Sequence, residues 1–591
     1  DISVQKGGVP GVPGCIEHLS VLTQMIREAR VEGKDLTVVW LDLANAYGSI
    51  PHRLIDVTLA TYHVPETIRK MLRAYFDQLL MRFTVGDYTT NWQRLEVGII
   101  TGCTISVVLF SVAMNLLVKS VEVVKRGYCM ASGVQQPPIK AFMDDMTIAA
   151  RSQVEGRWTL EELERIMEWA KMRFKPVKSR CLVIKRGKIA SGTLRLAGER
   201  IPTLLDQPVK YLGKFFFSSL KDTNSIQEMQ AQLLEWLKKV DKTGLPGKYK
   251  AWIYQHGILP RILWPLLVYA VPMSTVEGME MKTCAYLRRW LGVPRSLSSI
   301  GLFNTGGKLQ LPLSSMVEEF KVTKVRQAMM LQNSKDQKVR EAHAELRSGR
   351  KWRVDEAMET ADSRLRQRDL VGATTTGRQG LGWRETRRWD RADQREQRDM
   401  MQKEVRAMEE EARHAKAAGM QQQGRWLKWE AARVREVKWP EIWRMEGYRL
   451  SFIVRAVYDV LPSPANLCRW GLRNDPGCML CGAPVSNLEH VLSSCQTALR
   501  DGRYTWRHDN VLRSMAAELD NSRRARKRTM GGPVFVAFVK AGETGAMRES
   551  PTGVLAMASD WEMVCDVEGR CTFPREIVAT SLRPDITIWS K

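Results

Sequence analysis

Two acidic sites about 100 residues apart constrain this chain more than any other feature. Asp42 closes the run TVVWLDL, whose β-branched and aromatic residues read as a strand. Asp144 and Asp145 lie in KAFMDDMTIAA, between Phe142-Met143 on one side and Met146 and Ile148 on the other, the pattern of a tight hairpin anchored by apolar flanks. Two strands side by side would gather the three carboxylates, and carboxylate oxygens are the ligands that Mg2+ prefers. Taken alone, Asp-Asp reads more readily as the filling of a β-turn. What surrounds it decides between the two.

From Leu36 to about Phe217 short strand-like runs alternate with longer helical patterns, which argues a mixed α/β domain. Pro51 opens the helical run HRLIDVTLATYHV. It is followed by RFTVG with its turn, an apolar helix over ISVVLFSVAMNLLVKSVEVV, the acidic hairpin, a charged helix from Leu160 to Arg173, and strands at CLVIK and YLGKFFF. Ile226, Met229, Leu233, Leu237 and Val240 then recur at helical spacing behind Asn224 and Ser225, which read as the cap of an amphipathic helix, and helical patterning runs on to about Gln332. The most apolar stretch, Gly257 to Met273, is broken by Pro260, Arg261 and Pro265, so it reads as a buried helical segment and not a membrane span. Residues 333 to 445 are highly charged and punctuated by Trp352, Trp383, Trp389, Trp426, Trp429, Trp439 and Trp443.

A formal charge of +25 exceeds what solubility requires and points to a polyanionic partner such as nucleic acid. Eleven cysteines without an even framework in a chain of 591 residues suggest a reducing compartment. The opening residues, which begin at Asp1 and run through QKGGVPGVPGC, read as the interior of a longer protein.

Moving a nucleotidyl group requires cations that activate a 3′-hydroxyl and hold a triphosphate, the work that clustered aspartates support. LDLANAYGSIPH, GIITGCTISVVLF, AFMDD, KPVKSRCLVI and YLGKFFF, in this order, resemble motifs A to E of the reverse transcriptases of non-LTR, LINE-like retrotransposons. The resemblance implies RNA-templated DNA synthesis with Asp42 and Asp144 holding Mg2+ or Mn2+, Asp145 supporting them, and the Leu43 carbonyl as a further ligand. Tyr47 would lie beneath the sugar of the incoming nucleotide and clash with a 2′-hydroxyl, or else be a core tyrosine. Lys178 matches the motif D lysine, a general acid for the leaving pyrophosphate, or is a plain surface lysine beside Lys175 and Arg180. Gly98 and Gly102 would let the backbone approach the templating pair and the nucleotide, while Thr101 and Val107 replace the glutamine and proline of many relatives. The family's remaining fingers motifs are expected before residue 1.

A second constellation, Cys478, Cys481, His490 and Cys495 in CMLCGAPVSNLEHVLSSC, has the ligand types and spacing of a tetrahedral Zn2+ site, and relatives carry a CCHC knuckle of similar spacing. The basic run from Arg523 to Arg528 reads as a nuclear-import signal, a phosphate-binding arm or a solvated loop. The tryptophans of the charged segment either stack on bases or pack a helix against its neighbour. LRPDITIWSK resembles the Pro-Asp strand of a restriction-like endonuclease, with Asp585 as a metal ligand, and lacks the acid and lysine expected one strand further on, so no DNA nicking is expected of these residues alone.

The fold these resemblances imply is α/β (α+β), a right-hand polymerase palm. Its divisions are partial fingers and palm over 1–217, a helical thumb over 218–332, a charged helical linker over 333–465, a zinc-knuckle region over 466–510 and part of a restriction-like endonuclease over 511–591. The expected partners are an RNA template, a DNA primer or target and deoxynucleoside triphosphates, without a membrane, in target-primed reverse transcription in the nucleus. The rival reading is a decayed or domesticated element that binds nucleic acid without turnover, against which Asp42, Asp144 and Asp145 stand intact.

Overall fold

The computed structural model describes residues 2–529 apart from 125, 372, 378–379, 385–387 and 431, and beyond them residues 555, 558, 560–566, 571–573, 578, 580–581 and 584–590. It forms two compact units, Asp1–Tyr458 and Asp459–Lys591.

At the centre of the first unit is a five-stranded antiparallel sheet. Its strands are β1 (Leu36–Leu41), β2 (Ile139–Phe142), β3 (Asp145–Ala150), β4 (Arg180–Lys185) and β5 (Lys188–Ala190), in the order β2-β3-β1-β4-β5. Strand β1 is buried along its whole length because both faces of the sheet are covered. Side chains alternate across a strand, so Val39 and Leu41 enter one core and Leu36, Val38 and Trp40 the other. The first core is closed by the helices α2 (His52–Thr61), α4 (Thr104–Val124) and α5 (Gln153–Trp169). The second is closed by α1 (Gly14–Val31) and the hairpin of β6 (Val209–Tyr211) and β7 (Lys214–Phe216). Each fully buried Val, Leu or Phe contributes about 1.5–3 kcal/mol.

Several elements depart from the sequence reading. YLGKFFF is the β6–β7 hairpin and not one strand, because Leu212 and Gly213 both take positive φ (45° and 80°), the signature of a two-residue turn that follows strand twist. Helix α5 begins at Gln153, not Leu160: the Ser152 hydroxyl caps it by accepting from Glu155 N–H, and the helix stops at Trp169 before the left-handed Lys171. Helix α6 (Thr223–Asp241) contains Asn224 and Ser225 inside its first turn; Asp222 holds the cap position, yet its carboxylate turns to Ala270 N–H and Lys214.

Among the described residues, one helix is long and apolar enough to cross a membrane. It is the Thr104–Val123 stretch of α4, not 257–273. Half of that stretch is buried, with Phe110, Met114, Leu117 and Val121 in the first core. Residues 257–273 contain the buried helix α7 (Leu259–Val268), entered through a wide turn at Tyr254–Ile258.

The segment expected to be a linker is packed. Helix α10 (Val354–Val371) and α11 (Gln394–Ala418) close a third core on α9 (Met316–Gln332), built on Val322, Val325, Leu365, Trp389, Met401 and Val405. The tryptophans divide accordingly. Trp389 and Trp426 are buried, Trp352 lies against this third core, Trp439 is half-buried, and Trp429 and Trp443 stay open to solvent. The side chain of Trp383 lies outside the described residues. In the second unit, Arg523 to Arg528 lie on the helix α12 (Thr505–Thr529) and not in a loop, with Arg523 and Arg524 paired to Asp520; the side chains from Ala525 to Arg528 lie outside the described residues.

Candidate active site and candidate metal centre

The antiparallel register of β1 and β3 pairs Leu41 with Met146. One step further along the same ladder sets Asp42 opposite Asp145, and Asp144 stands at the turn that joins β2 to β3. Burial pushes the Asp145 carboxyl up to about 6, with the charges of Asp144 and then Asp42 acting in the same direction, although one flank of Asp145 remains open to solvent. Three carboxylates gathered in this way repel until a cation or a proton joins them. Among the described residues, the ligand atoms that come together closely enough to hold one metal ion are those of the cysteine–histidine group described below, and the three carboxylates do not form such a group.

The backbone after Asp42 is held by the loop that carries Lys178. Lys175 N–H donates to Asp42 O (2.8 Å), Ala44 N–H donates to Arg173 O (2.8 Å), and Leu43 bridges to Phe174. Asp42 N–H reaches the Ser179 hydroxyl at 3.3 Å. Ser179 is a site residue that the sequence reading missed, although it follows Lys178 directly. Lys178 itself is exposed at the same turn, its N–H bonded to Lys175 O.

Tyr47 follows the left-handed Asn45 on a short turn of helix, and its ring stacks on Phe110 with centroids 4.7 Å apart and planes within 8°. It is half-buried, so it touches the core and the site at once. Burial and the nearby Asp144 raise its hydroxyl pKa. The loop of residues 98–102 joins this edge through Ile99 N–H to Tyr47 O (2.8 Å), Gly98 N–H to Ile50 O (2.9 Å) and the His52 ring to Gly98 O (2.7 Å). Gly98 is glycine for a local reason: at φ 95° a Cβ would stand 2.8 Å from the Gly48 Cα. Gly102 has the same φ but faces open space, while Thr101 is exposed.

In the second unit, Cys478, Cys481, His490 and Cys495 offer ligand atoms that all lie within 4.8 Å of one another. Cys478 Sγ is 3.9 Å from Cys495 Sγ, and Cys481 Sγ is 3.3 Å from His490 Nε2. Tetrahedral zinc with Zn–S bonds of about 2.3 Å would set its ligands roughly 3.5–3.8 Å apart, so the donor set fits that metal. The cysteine turn is made by Gly482 at φ 71°, whose N–H bonds to Cys478 O (3.0 Å). Backbone N–H groups of Cys481 and Leu480 lower the Cys478 thiol to about 6, into the range where a thiolate ligand is available. Asp585 precedes the strand Ile586–Trp589, which pairs with Glu562–Cys565; it is exposed and lies 3.4 Å from His508 Nε2.

A sheet that carries aspartates at one end, beside a helix-backed aromatic and a glycine loop, defines the class of domain. Residues 9–215 match the family described as reverse transcriptase (RNA-dependent DNA polymerase). Three proteins of R2 retrotransposable elements are similar to the chain over part of its length. The chain is 21% identical over 258 residues to the Pol polyprotein from type-1 retrotransposable element R2 of Popillia japonica, covering 43% of this chain and 42% of that protein. It is 23% identical over 301 residues to the corresponding protein of Nasonia vitripennis, covering 49% and 28%. It is 19% identical over 310 residues to the polyprotein from type-2 element R2DM of Drosophila melanogaster, covering 49% and 27%. The chain thus spans less than half the length of the relatives it matches.

Proposed function

We propose that this chain copies RNA into DNA, with Asp42, Asp144 and Asp145 as the carboxylates of the polymerase centre. The observation that carries the reading is the β1–β3 register, which sets Asp42 beside the Asp144-Asp145 turn inside a segment that matches the reverse transcriptase family. That family implies a divalent cation, an RNA template, a DNA primer and deoxynucleoside triphosphates. When bound at the carboxylates, Mg2+ or Mn2+ activates the attacking 3′-hydroxyl and neutralises the triphosphate. Tyr47, backed by Phe110, closes the space in which a 2′-hydroxyl would sit, and Gly102 leaves the nucleotide edge open. The Leu43 carbonyl is the further ligand that the family resemblance implies, and Lys178 is the proton donor to the leaving pyrophosphate.

The finer assignments are part of the same proposal. Residues 218–332 act as a thumb, the Cys/His group holds one structural Zn2+ as a knuckle, and Asp585 belongs to a restriction-like nuclease. The protein works in the nucleus, priming synthesis from nicked DNA. Support comes from the zinc-like ligand spacing and from the relatives' printed description as retrotransposon polyproteins.

Primer extension on an RNA template tests the central reading. Extension is expected only with Mg2+ or Mn2+, and Asp144→Asn should abolish it while leaving the unfolding midpoint in place. Undiminished extension by that variant would remove the carboxylate assignment. A well-folded wild-type chain that binds nucleic acid and never extends would favour the non-catalytic alternative.

A further inference from the structure

The backbone at Met143 is held by a side chain that lies far away in sequence. Residues Val4 to Lys6 run alongside β2, with Ala141 N–H donating to Val4 O (2.8 Å) and Lys6 N–H donating to Ala141 O (3.1 Å). That ladder ends at Ala141, two residues short of the turn. The Gln5 carboxamide spans the remainder: its Oε1 accepts from Met143 N–H (3.0 Å) and Gly7 N–H (2.8 Å), and its Nε2 donates to Met143 O (3.1 Å). Gln5 is buried, and its carboxamide oxygen and nitrogen each find a partner in this exchange, as do the Met143 and Gly7 N–H groups and the Met143 carbonyl.

From this geometry we infer that Gln5 is a positioning residue for the polymerase centre, fixing the Met143–Asp144 peptide and with it the direction in which Asp144 presents its carboxylate. Met143 has φ 57°, a left-handed conformation disfavoured for a residue with a side chain, so the turn needs an outside partner to hold it. The carbonyl that Gln5 grips belongs to the peptide linking Met143 to Asp144. Holding it sets the plane from which the Asp144 side chain departs.

The surroundings leave the clamp little freedom. A Cβ on Gly7 would stand 2.3 Å from Met143 N, so only glycine lets the segment come this close. Ser111, on α4, donates its hydroxyl to Gly7 O (2.8 Å) and lies 3.3 Å from Met143 Sδ. On the opposite side of the segment the Lys6 side chain is buried in ion pairs with Glu17 and Asp336. Glutamine suits the position because one carboxamide can accept and donate at the same residue, as a neighbouring strand would; methionine has nearly the same shape, donates nothing and accepts only weakly.

This inference rests on Asp144 being a metal ligand, and the experiment separates the two. The full chain, its Gln5→Met and Gly7→Ala variants, and Asp144→Asn are compared in Mn2+ binding, in primer extension over a Mg2+ titration, and in thermal unfolding. Gln5→Met should lower the extension rate at saturating substrate about tenfold to a hundredfold, with KM for the nucleotide within about twofold, and should raise the cation concentration for half-maximal rate. Gly7→Ala, which keeps Gln5 but pushes on the turn, should do the same. Unchanged rate and cation dependence in a folded Gln5→Met protein overturns the inference. If that variant does not fold, a folded Gly7→Ala protein with wild-type cation dependence overturns it instead. If wild type binds Mn2+ but never extends, the polymerase reading fails while weaker Mn2+ binding by Gln5→Met still sustains the clamp. Wild type that binds no Mn2+, or binds it as well as Asp144→Asn does, removes both.

Discussion

Replacing Lys6 with methionine should cost the first unit about 3 kcal/mol of stability. The Lys6 side chain is 0% exposed and meets Glu17 and Asp336, whose side chains are 1% and 4% exposed. Glu17 accepts a hydrogen bond from the Lys6 ammonium, whereas Asp336 meets it as an ion pair at 2.8 Å without a well-aligned hydrogen bond. Removing one partner of a buried pair typically costs about 3–5 kcal/mol, because the partner left behind is a buried charge without compensation. Two features place this case at the lower end. Ser334 still donates to Glu17 (2.6 Å) and Lys338 N–H to Asp336 (3.0 Å), and the buried Lys140 lies near enough for both acids to act on it. A loss of that size is a large share of the roughly 5–15 kcal/mol that hold an ordinary domain. Guanidinium denaturation followed by tryptophan fluorescence measures it as the shift in midpoint multiplied by the slope. The double change Lys6→Met, Glu17→Gln should recover part of the loss, since the one acid left, Asp336, then lies near the buried Lys140. A Lys6→Met cost below about 1 kcal/mol, within the range of surface substitutions, would refute the reasoning.

Two further outcomes are expected. Burial, with Lys6 adding to it, lowers the Lys140 ammonium from 10.5 to about 7, so between those values the unfolded chain holds the proton more tightly. Stability should therefore rise with pH from about 7 toward 10.5 and be flat at this site below 7, and Lys140→Met should remove that slope in denaturation midpoints taken across the window. The second unit should carry one zinc per chain by elemental analysis, released by chelators and by acid as the thiolates take up protons; Cys478→Ser should weaken binding at least tenfold, and freshly purified, folded protein without zinc would dispose of the site.

Features built over short stretches of chain were legible before the structure. The strand that leads to Asp42 and the Asp144-Asp145 hairpin follow from a β-branched, apolar run and a turn between apolar flanks. The cysteine group fits within eighteen residues, Cys478 to Cys495, so its spacing alone marks it. Some local signals were present and overlooked. Ser152 and Glu155 are the serine and glutamate of a capping pattern, and Leu212-Gly213 lies where a two-residue turn can form. At Asp222 the local rule fails for a physical reason: its carboxylate is drawn to Ala270 and Lys214, so the residue at the cap position makes no cap bond.

Pattern and spacing alone therefore indicated the mixed α/β character and the candidate acidic and Cys/His ligands, because each depends on residues a few positions apart, while the order of the polymerase motifs came from the resemblance to a known family. Only the tertiary structure decided how those ligands are held. Gln5 meets Met143 across 138 positions, Ser179 meets Asp42 across 137, and Lys6 meets Asp336 at the far end of α9. The same holds for residues 333–465, whose charge reads as a linker but among which the buried Trp389, Met401 and Val405 close a core on α9. Such contacts leave no periodic mark, because a hydrogen bond or an ion pair is set by distance in space and not by separation along the chain.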